Sequence, residues 1–206
     1  PLRPAFRHMD EAAKKKARKE LGVDERPLIL SFGGSLGAER VNTAMADVLA
    51  RSFRQGKLQH IHGTGKAGWD SFCSAMRDRG VPLDKEGIRV REYIDDMPRC
   101  MAAADLVICR AGASTVSELT ALAVPAVIVP SPYVTNNHQE KNARILEKHG
   151  GARVILEKDA TGEALYRAAG EILCAPELRR SMSAGMAELG IPDATERIYR
   201  TVMALR

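Results

Sequence analysis

The chemistry of this chain is concentrated where glycine, small hydroxyl and amide side chains directly follow an apolar run. A strand-to-helix turn of that composition lets backbone N–H groups approach an anion at the positive end of a helix. Gly33-Gly34-Ser35-Leu36-Gly37-Ala38 follows Leu28 to Phe32 in this way. Two readings stand for it: a cradle for a phosphate, or a tight turn with Ser35 capping the next helix. It is not a dinucleotide fingerprint, which needs G-x-G-x-x-G and an acidic residue about 20 positions on at the end of the second strand. His60 and His62 stand there instead. Nor is Gly63-Thr64-Gly65-Lys66-Ala67 a P-loop, because the G-x-x-x-x-G-K spacing is missing and Ala67 replaces the magnesium-binding hydroxyl. It reads as a helix-capping turn.

Arg110-Ala111-Gly112-Ala113-Ser114-Thr115-Val116-Ser117-Glu118 carries the most weight, since its small residues admit a ligand and its helix-starting amides face an anion. Thr115-x-x-Glu118 has capping-box spacing, while a carboxylate one turn into a phosphate-binding helix also suits a ribose diol. Both readings of Glu118 stay open on local sequence. In Tyr93-Ile94-Asp95-Asp96-Met97-Pro98 the aspartates and Pro98 are ordinary helix-start residues, and the backbone around Ile94 presents N–H and C=O groups edgewise to a planar base. Pro130 to Gln139 ends in Asn and Gln amides, which donate and accept as sugar hydroxyls require. His138 there is either a surface residue or a ligand contact. No H-E-x-x-H pattern occurs and His60-x-His62 has no evident third ligand, so neither a metal nor another cofactor is expected.

The elements that must hold these loops follow from periodicity. Apolar runs at Leu28 to Phe32, Gln59 to His62, Ile88 to Arg91, Leu106 to Cys109, Ala126 to Val129 and Arg153 to Leu156 alternate with helical patterns near 38 to 53, 67 to 79, 96 to 104, 114 to 123 and 138 to 149. That alternation predicts an α/β fold: a doubly wound, six-stranded parallel Rossmann-like sheet whose ligand sits beyond the carboxyl ends of its strands. A charged helix from about Met9 to Leu21 precedes the core and stops at Gly22, and the last fifty residues are helical, with Pro176 and Pro192 at helix starts or breaks. We divide the chain into a linker and charged helix (1–24), a βαβ core (25–160) and C-terminal helices (161–206) forming a single domain.

With 206 residues, 45% hydrophobic and 28% charged, the composition is that of a soluble globular domain. No apolar run approaches membrane-spanning length, and a cytoplasmic location is expected. The net charge of +5 favours anionic partners, but 4% aromatics argue against a single-strand stacking platform. No nucleic acid is expected, and Lys14 to Lys19 reads as a solvated helix face. Cys73, Cys100, Cys109 and Cys174 form no C-x-x-C pair and are expected to be reduced, mostly buried thiols. The chain opens at Pro1 in linker-like Pro1-Leu2-Arg3-Pro4, so it reads as the continuation of something longer.

Taken in order, Pro1-Leu2-Arg3, the Gly33 to Ala38 turn, Tyr93 to Met97, Cys109 to Glu118, Asn137-His138-Gln139-Glu140-Lys141-Asn142-Ala143 and Pro192 to Arg197 resemble the C-terminal half of the MurG family. The resemblance covers nearly the whole chain. It implies one half of a GT-B glycosyltransferase that moves N-acetylglucosamine from UDP-N-acetylglucosamine to lipid I, giving lipid II in peptidoglycan synthesis. On that pattern Arg3 and the Ile94 backbone contact uracil, Ser35 and the Ala113-Ser114-Thr115 turn contact phosphate, and Val116 and Ser117 complete that helix start. Glu118 then holds the ribose and Gln139 the sugar. The N-terminal acceptor half, with the candidate base and the patch that associates peripherally with the inner membrane face, lies outside this sequence. The chain alone is therefore expected to bind donor weakly and not to catalyse. Rival readings are a non-catalytic UDP-sugar-binding subunit with a separate membrane partner, a UDP-N-acetylglucosamine 2-epimerase-like enzyme, which needs acidic and histidine residues at the sugar C2, and a dinucleotide oxidoreductase.

Overall fold

The computed structural model describes Phe6, residues 10–191 and residues 193–205. Pro192 lies outside the described residues. A charged helix, α1 (Glu11–Leu21), opens the described fold and ends at Gly22, whose left-handed conformation turns its N–H back to the Arg18 and Lys19 carbonyls. Strands and helices then alternate: β1 (Leu28–Phe32), α2 (Glu39–Gln55), β2 (Gln59–Gly63), α3 (Trp69–Asp78), β3 (Asp84–Lys85), β4 (Ile88–Arg91), α4 (Met97–Ala103), β5 (Leu106–Cys109), α5 (Ala113–Leu122), β6 (Ala126–Ile128), α6 (His138–Lys148) and β7 (Ala152–Val154). Three helices close the chain, α7 (Gly162–Leu173), α8 (Pro176–Glu188) and α9 (Ala194–Ala204).

The sheet order is β3-β4-β2-β1-β5-β6-β7, and every pairing is parallel except β3 with β4. The sheet therefore has seven strands, one more than the sequence predicts. The addition is the two-residue edge β3, exposed and charged, which carries no apolar signal. All residues of β1, β2 and β5 are buried, as expected for parallel strands covered on both faces. One face packs Leu28, Leu30, Phe32 and Val107 against α4, α5 and α6. The other packs Ile29, Leu106, Ile108 and Val127 against α2, α3 and α7. In α2 the buried set Val41, Ala44, Met45, Val48, Leu49 and Ser52 recurs at three- and four-residue spacing, an apolar stripe turned to the sheet.

The basic run on α1 divides between two roles. Lys15, Lys16 and Lys19 are exposed, as expected of a solvated face, but Lys14 and Arg18 turn inward to Asp105, at 2.7 and 3.0 Å. The four cysteines are free thiols: Cys100 and Cys109 are buried as expected, Cys73 is half-buried and Cys174 departs from expectation in being exposed. Burial, with the Asp96 carboxylate next, pushes the Cys100 thiol up to about 12, so it stays protonated at neutral pH.

Two histidines lie within the sheet core. His60 and His62 are fully buried on β2, and His62 Nδ1 shares a 2.8 Å hydrogen bond with Ser31 Oγ while its ring lies 4.5 Å from Phe72. Both ring nitrogens of His60 are buried without a partner. Burial, with His62 beside it, lowers the His60 pKa to about 3, and burial lowers His62 to about 3 against the Ser31 hydrogen bond. Both are neutral when folded and charge on unfolding, so stability is intact above the ordinary value of 6.5 and is lost as pH falls from there toward 3. Each contributes a slope of up to about 1.4 kcal/mol per pH unit. His60→Leu is expected to stabilise the chain at pH 7 and flatten this slope, as urea unfolding at pH 7 and pH 5 would measure. An unchanged slope would remove His60 as its source.

Candidate nucleotide-sugar site

Strand order reverses at β1, which pairs with β2 on one side and β5 on the other. A crevice opens beyond the carboxyl ends of β1 and β5, the switch point where doubly wound sheets hold ligands. It is walled by the 33–38 turn and the 110–112 turn. The first turn is built against loop 63–65: Gly37 and Gly65 both have positive φ, 86° and 74°. A Cβ on Gly37 would lie 2.2 Å from the Thr64 carbonyl oxygen, and one on Gly65 would lie 2.1 Å from the Gly37 nitrogen. Asn42 Nδ2 donates to the same Thr64 oxygen at 2.9 Å. The Gly63 to Ala67 stretch therefore supports the first turn, and its Gly65 is also the N-cap, without a side-chain bond, of the 3-10 turn Lys66–Gly68 that leads into α3.

Helix starts correct two capping expectations, at Ser35 and at Thr115-x-x-Glu118, and bear out the position of a third, Asp96. Ser35 does not cap α2, whose N-cap is Ala38 without a side-chain bond, and Ser35 is left exposed in the crevice turn. Asp96 occupies the N-cap of α4 but makes no capping bond; its Oδ1 accepts from Cys100 Sγ at 3.4 Å. The Thr115-x-x-Glu118 capping box does not form either. Helix α5 starts at Ala113 with Gly112 as N-cap and no side-chain cap, so Thr115 is its third residue and Glu118 its sixth. The first-turn N–H groups of Ala113, Ser114 and Thr115 precede the first intrahelical bond, Val116 N–H to the Gly112 carbonyl, and open toward the crevice without a capping side chain. Ala113, Ser114 and Ser117 are exposed, whereas Thr115, Val116 and Glu118 are half-buried. After burial itself, the Glu118 charge is the second cause pushing the Cys109 thiol up, which sets Glu118 near the end of β5.

The 130–139 loop closes the crevice. Gln139 Oε1 accepts from the Ser131 N–H at 3.0 Å and the Ala111 N–H at 3.3 Å, and Asn142 Nδ2 donates to the Ala111 carbonyl at 3.1 Å. Gln139 and Asn142 thus fix the turn before α5 while the Gln139 amide donor end remains for a ligand. His138 begins α6, exposed, with Nδ1 against the Thr135 carbonyl at 2.9 Å. A cavity of about 640 Å³ lies between these loops, lined among others by Gly33, Gly37, Arg40, Arg110, Tyr133 and Gln139.

Arg40 and Glu157 are wall residues outside the loops picked out from the sequence, and Arg110, on one of those loops, is a wall residue to which the sequence assigns no role. Arg110, immediately beyond β5, pairs with Glu157 and donates to the Val129 carbonyl at 3.1 Å. Arg40 reaches the carbonyls of Glu157 and Lys158 at 3.3 and 3.4 Å. The only signal for Arg110 was a cation directly following an apolar strand, and nothing local marked the other two. On the opposite side of the crevice, Ile94 buries its side chain under Gly63, 3.0 Å from where a Cβ would stand there, while Tyr93 is exposed. Arg3 lies outside the described residues. The remaining candidates fall beyond the carboxyl ends of the strands: Ser35 and Ile94 on loops, Ala113 to Glu118 at the start of α5 and Gln139 at the start of α6.

Residues 28–198 match the family described as glycosyltransferase family 28 C-terminal domain. A relative from Acetivibrio thermocellus, named UDP-N-acetylglucosamine--N-acetylmuramyl-(pentapeptide) pyrophosphoryl-undecaprenol N-acetylglucosamine transferase, is 43% identical over 97% of this chain and 53% of its own length. One of the same name from Caldanaerobacter subterraneus subsp. tengcongensis is 39% identical over 93% of this chain and 52% of its own. Among solved structures, MurG of Acinetobacter baumannii superposes with a TM-score of 0.74 at 29% identity, covering 88% of this chain and 53% of that one. The chain spans about half the length of the curated relatives it matches. With a doubly wound sheet, a crevice at its switch point and a family match over most of its length, the chain belongs to glycosyltransferase family 28 through that family's C-terminal domain.

Proposed function

We propose that this chain is the donor-binding half of an inverting N-acetylglucosaminyltransferase that moves N-acetylglucosamine from UDP-N-acetylglucosamine to the lipid-linked muramyl pentapeptide acceptor lipid I. The uncapped start of α5 at the switch point carries the reading: a run of open N–H groups at the positive helix end suits a diphosphate, and Glu118 one turn on suits the ribose hydroxyls. In this reading Arg3 and the Ile94 backbone hold uracil, Ser35 and the Ala113 to Ser117 helix start hold the phosphates, and the Gln139 amide holds the sugar. Transfer then proceeds by attack of the muramyl hydroxyl on the anomeric carbon, breaking the bond to the diphosphate oxygen. The helix dipole and open amides stabilise the negative charge that leaves on UDP, placed before the bond breaks. The acceptor, the base that takes the hydroxyl proton and peripheral attachment to the cytoplasmic membrane face belong, in this proposal, to the other half. Among the described residues no helix is long and apolar enough to cross a membrane. The histidines do not favour an epimerase, since His60 and His62 are buried in the sheet core and the His138 ring is turned to Thr135.

Thermal unfolding with and without ligand tests this. UDP and UDP-N-acetylglucosamine are expected to raise the melting temperature with concentration, and NAD and ATP are not. Glu118→Ala is expected to weaken UDP by about 1.5–3 kcal/mol through lost charged hydrogen bonds. Absence of any shift with millimolar UDP would sink the donor reading.

A further inference from the structure

We propose that Tyr133 forms the outer wall of the sugar end of the donor site, an aromatic face against which the transferred hexosamine packs; this rests on the donor reading above. Tyr133 is 86% exposed, more than any other large apolar side chain among the described residues. Such a ring in water leaves a large apolar face uncovered, and this one is held there by a constrained backbone. It follows Pro130 and Pro132, its N–H donates to Ser131 Oγ at 3.4 Å, and the Ser131 N–H is in turn fixed by Gln139. The side chain stands where two cavities meet. The 640 Å³ cavity contains Arg110 and Gln139, and a neighbour of about 590 Å³ is floored by Pro130, Pro132 and Leu156; both share Arg40, Ser131, Tyr133 and Glu157.

A pyranose carries C–H groups on its faces and hydroxyls around its rim. An aromatic wall beside a planar amide fits that division, the ring covering a face while Gln139 bonds the rim. The uracil candidate Ile94 lies across the switch point, on the loop beyond β4, so Tyr133 distinguishes a nucleotide that carries a sugar from one that does not.

Calorimetric titration of the chain, its Tyr133→Ala and its Tyr133→Phe forms with UDP and UDP-N-acetylglucosamine tests this. Wild type is expected to bind the sugar nucleotide more tightly than UDP. Tyr133→Ala should weaken UDP-N-acetylglucosamine about fivefold to tenfold and UDP by less than about twofold, while Tyr133→Phe retains the sugar preference. Melting temperatures of the unliganded forms should coincide because the ring is exposed. Equal losses for both ligands, or none for either, would overturn the inference while leaving the donor reading standing. Failure of wild type to bind UDP would overturn both.

Discussion

Replacing Gly65 by alanine is expected to destabilise the chain by about 3 kcal/mol and to lower UDP affinity more than about tenfold, because both strain and collision act on backbone. Gly65 has φ 74°, and an added Cβ would stand 2.1 Å from the Gly37 nitrogen and 2.4 Å from its Cα. Gly37 cannot retreat easily, since it closes just as tightly on the Thr64 carbonyl. The 33–38 turn must therefore move, and with it the wall of the crevice facing α5. Gly34 supplies the control: its φ is 99°, but a Cβ there meets nothing within 4 Å, so Gly34→Ala registers left-handed strain alone, about 1 kcal/mol. Equal effects of the two substitutions in urea unfolding and UDP titration would refute the loop-on-loop support.

Asp105→Ala is expected to cost about 3–5 kcal/mol, the penalty for removing one member of a desolvated ion pair. The Asp105 side chain is 13% exposed and accepts from Lys14 Nζ at 2.7 Å, Arg18 Nη1 at 3.0 Å and the Leu28 N–H at 2.9 Å, with Arg179 at 3.7 Å. It thereby ties α1 and α8 to the start of β1. Burial alone would raise its pKa, but Lys14, the Leu28 N–H and Arg18 outweigh burial and hold the carboxyl below its ordinary 3.8. Its contribution is therefore complete above that value and is lost as pH falls below it, at the acid end of the range over which the histidines act. Asp105→Asn, which keeps an acceptor for Leu28, should fall between wild type and Asp105→Ala in chemical unfolding. A loss below about 1 kcal/mol for the alanine variant would contradict the ion-pair account.

Most of the fold was legible because parallel strands must be apolar throughout. β1 and β5 coincide with the apolar runs at 28–32 and 106–109, and β4 with the alternating Ile88-Arg89-Val90-Arg91. The apolar run at 153–156 overlaps β7, which lies at 152–154, where Ala152 is buried, Arg153 and Val154 are only half-buried and the hydrophobic signal is weak. β3 was invisible for a related reason: Asp84 and Lys85 are charged and exposed, and only pairing with Ile88 and Arg89 makes them a strand. Helix caps were the least legible local feature. Ser35, Asp96 and Thr115 all have capping chemistry, yet none makes the expected side-chain bond. Capping requires a position in the chain that side-chain type does not set, and the small residues around Gly37 and Gly112 permit earlier or later helix starts. Arg40 and Glu157 were missed, and Arg110 left without a role on its loop, because the three come from separate elements joined only by the closed sheet.

The position of β1 also has a kinetic consequence. Within this domain β1, the earliest strand in the chain order, is the central strand of the finished sheet, and its anchor from Leu28 to Asp105 spans 77 residues of sequence. β2 and β4 can add to one side of it early, but its other edge stays open until β5 has been synthesised. Long-range closure of this kind slows folding, and an unpaired apolar strand edge is where nascent chains associate. Translation of residues 33–105 thus becomes the interval in which this domain depends most on a chaperone.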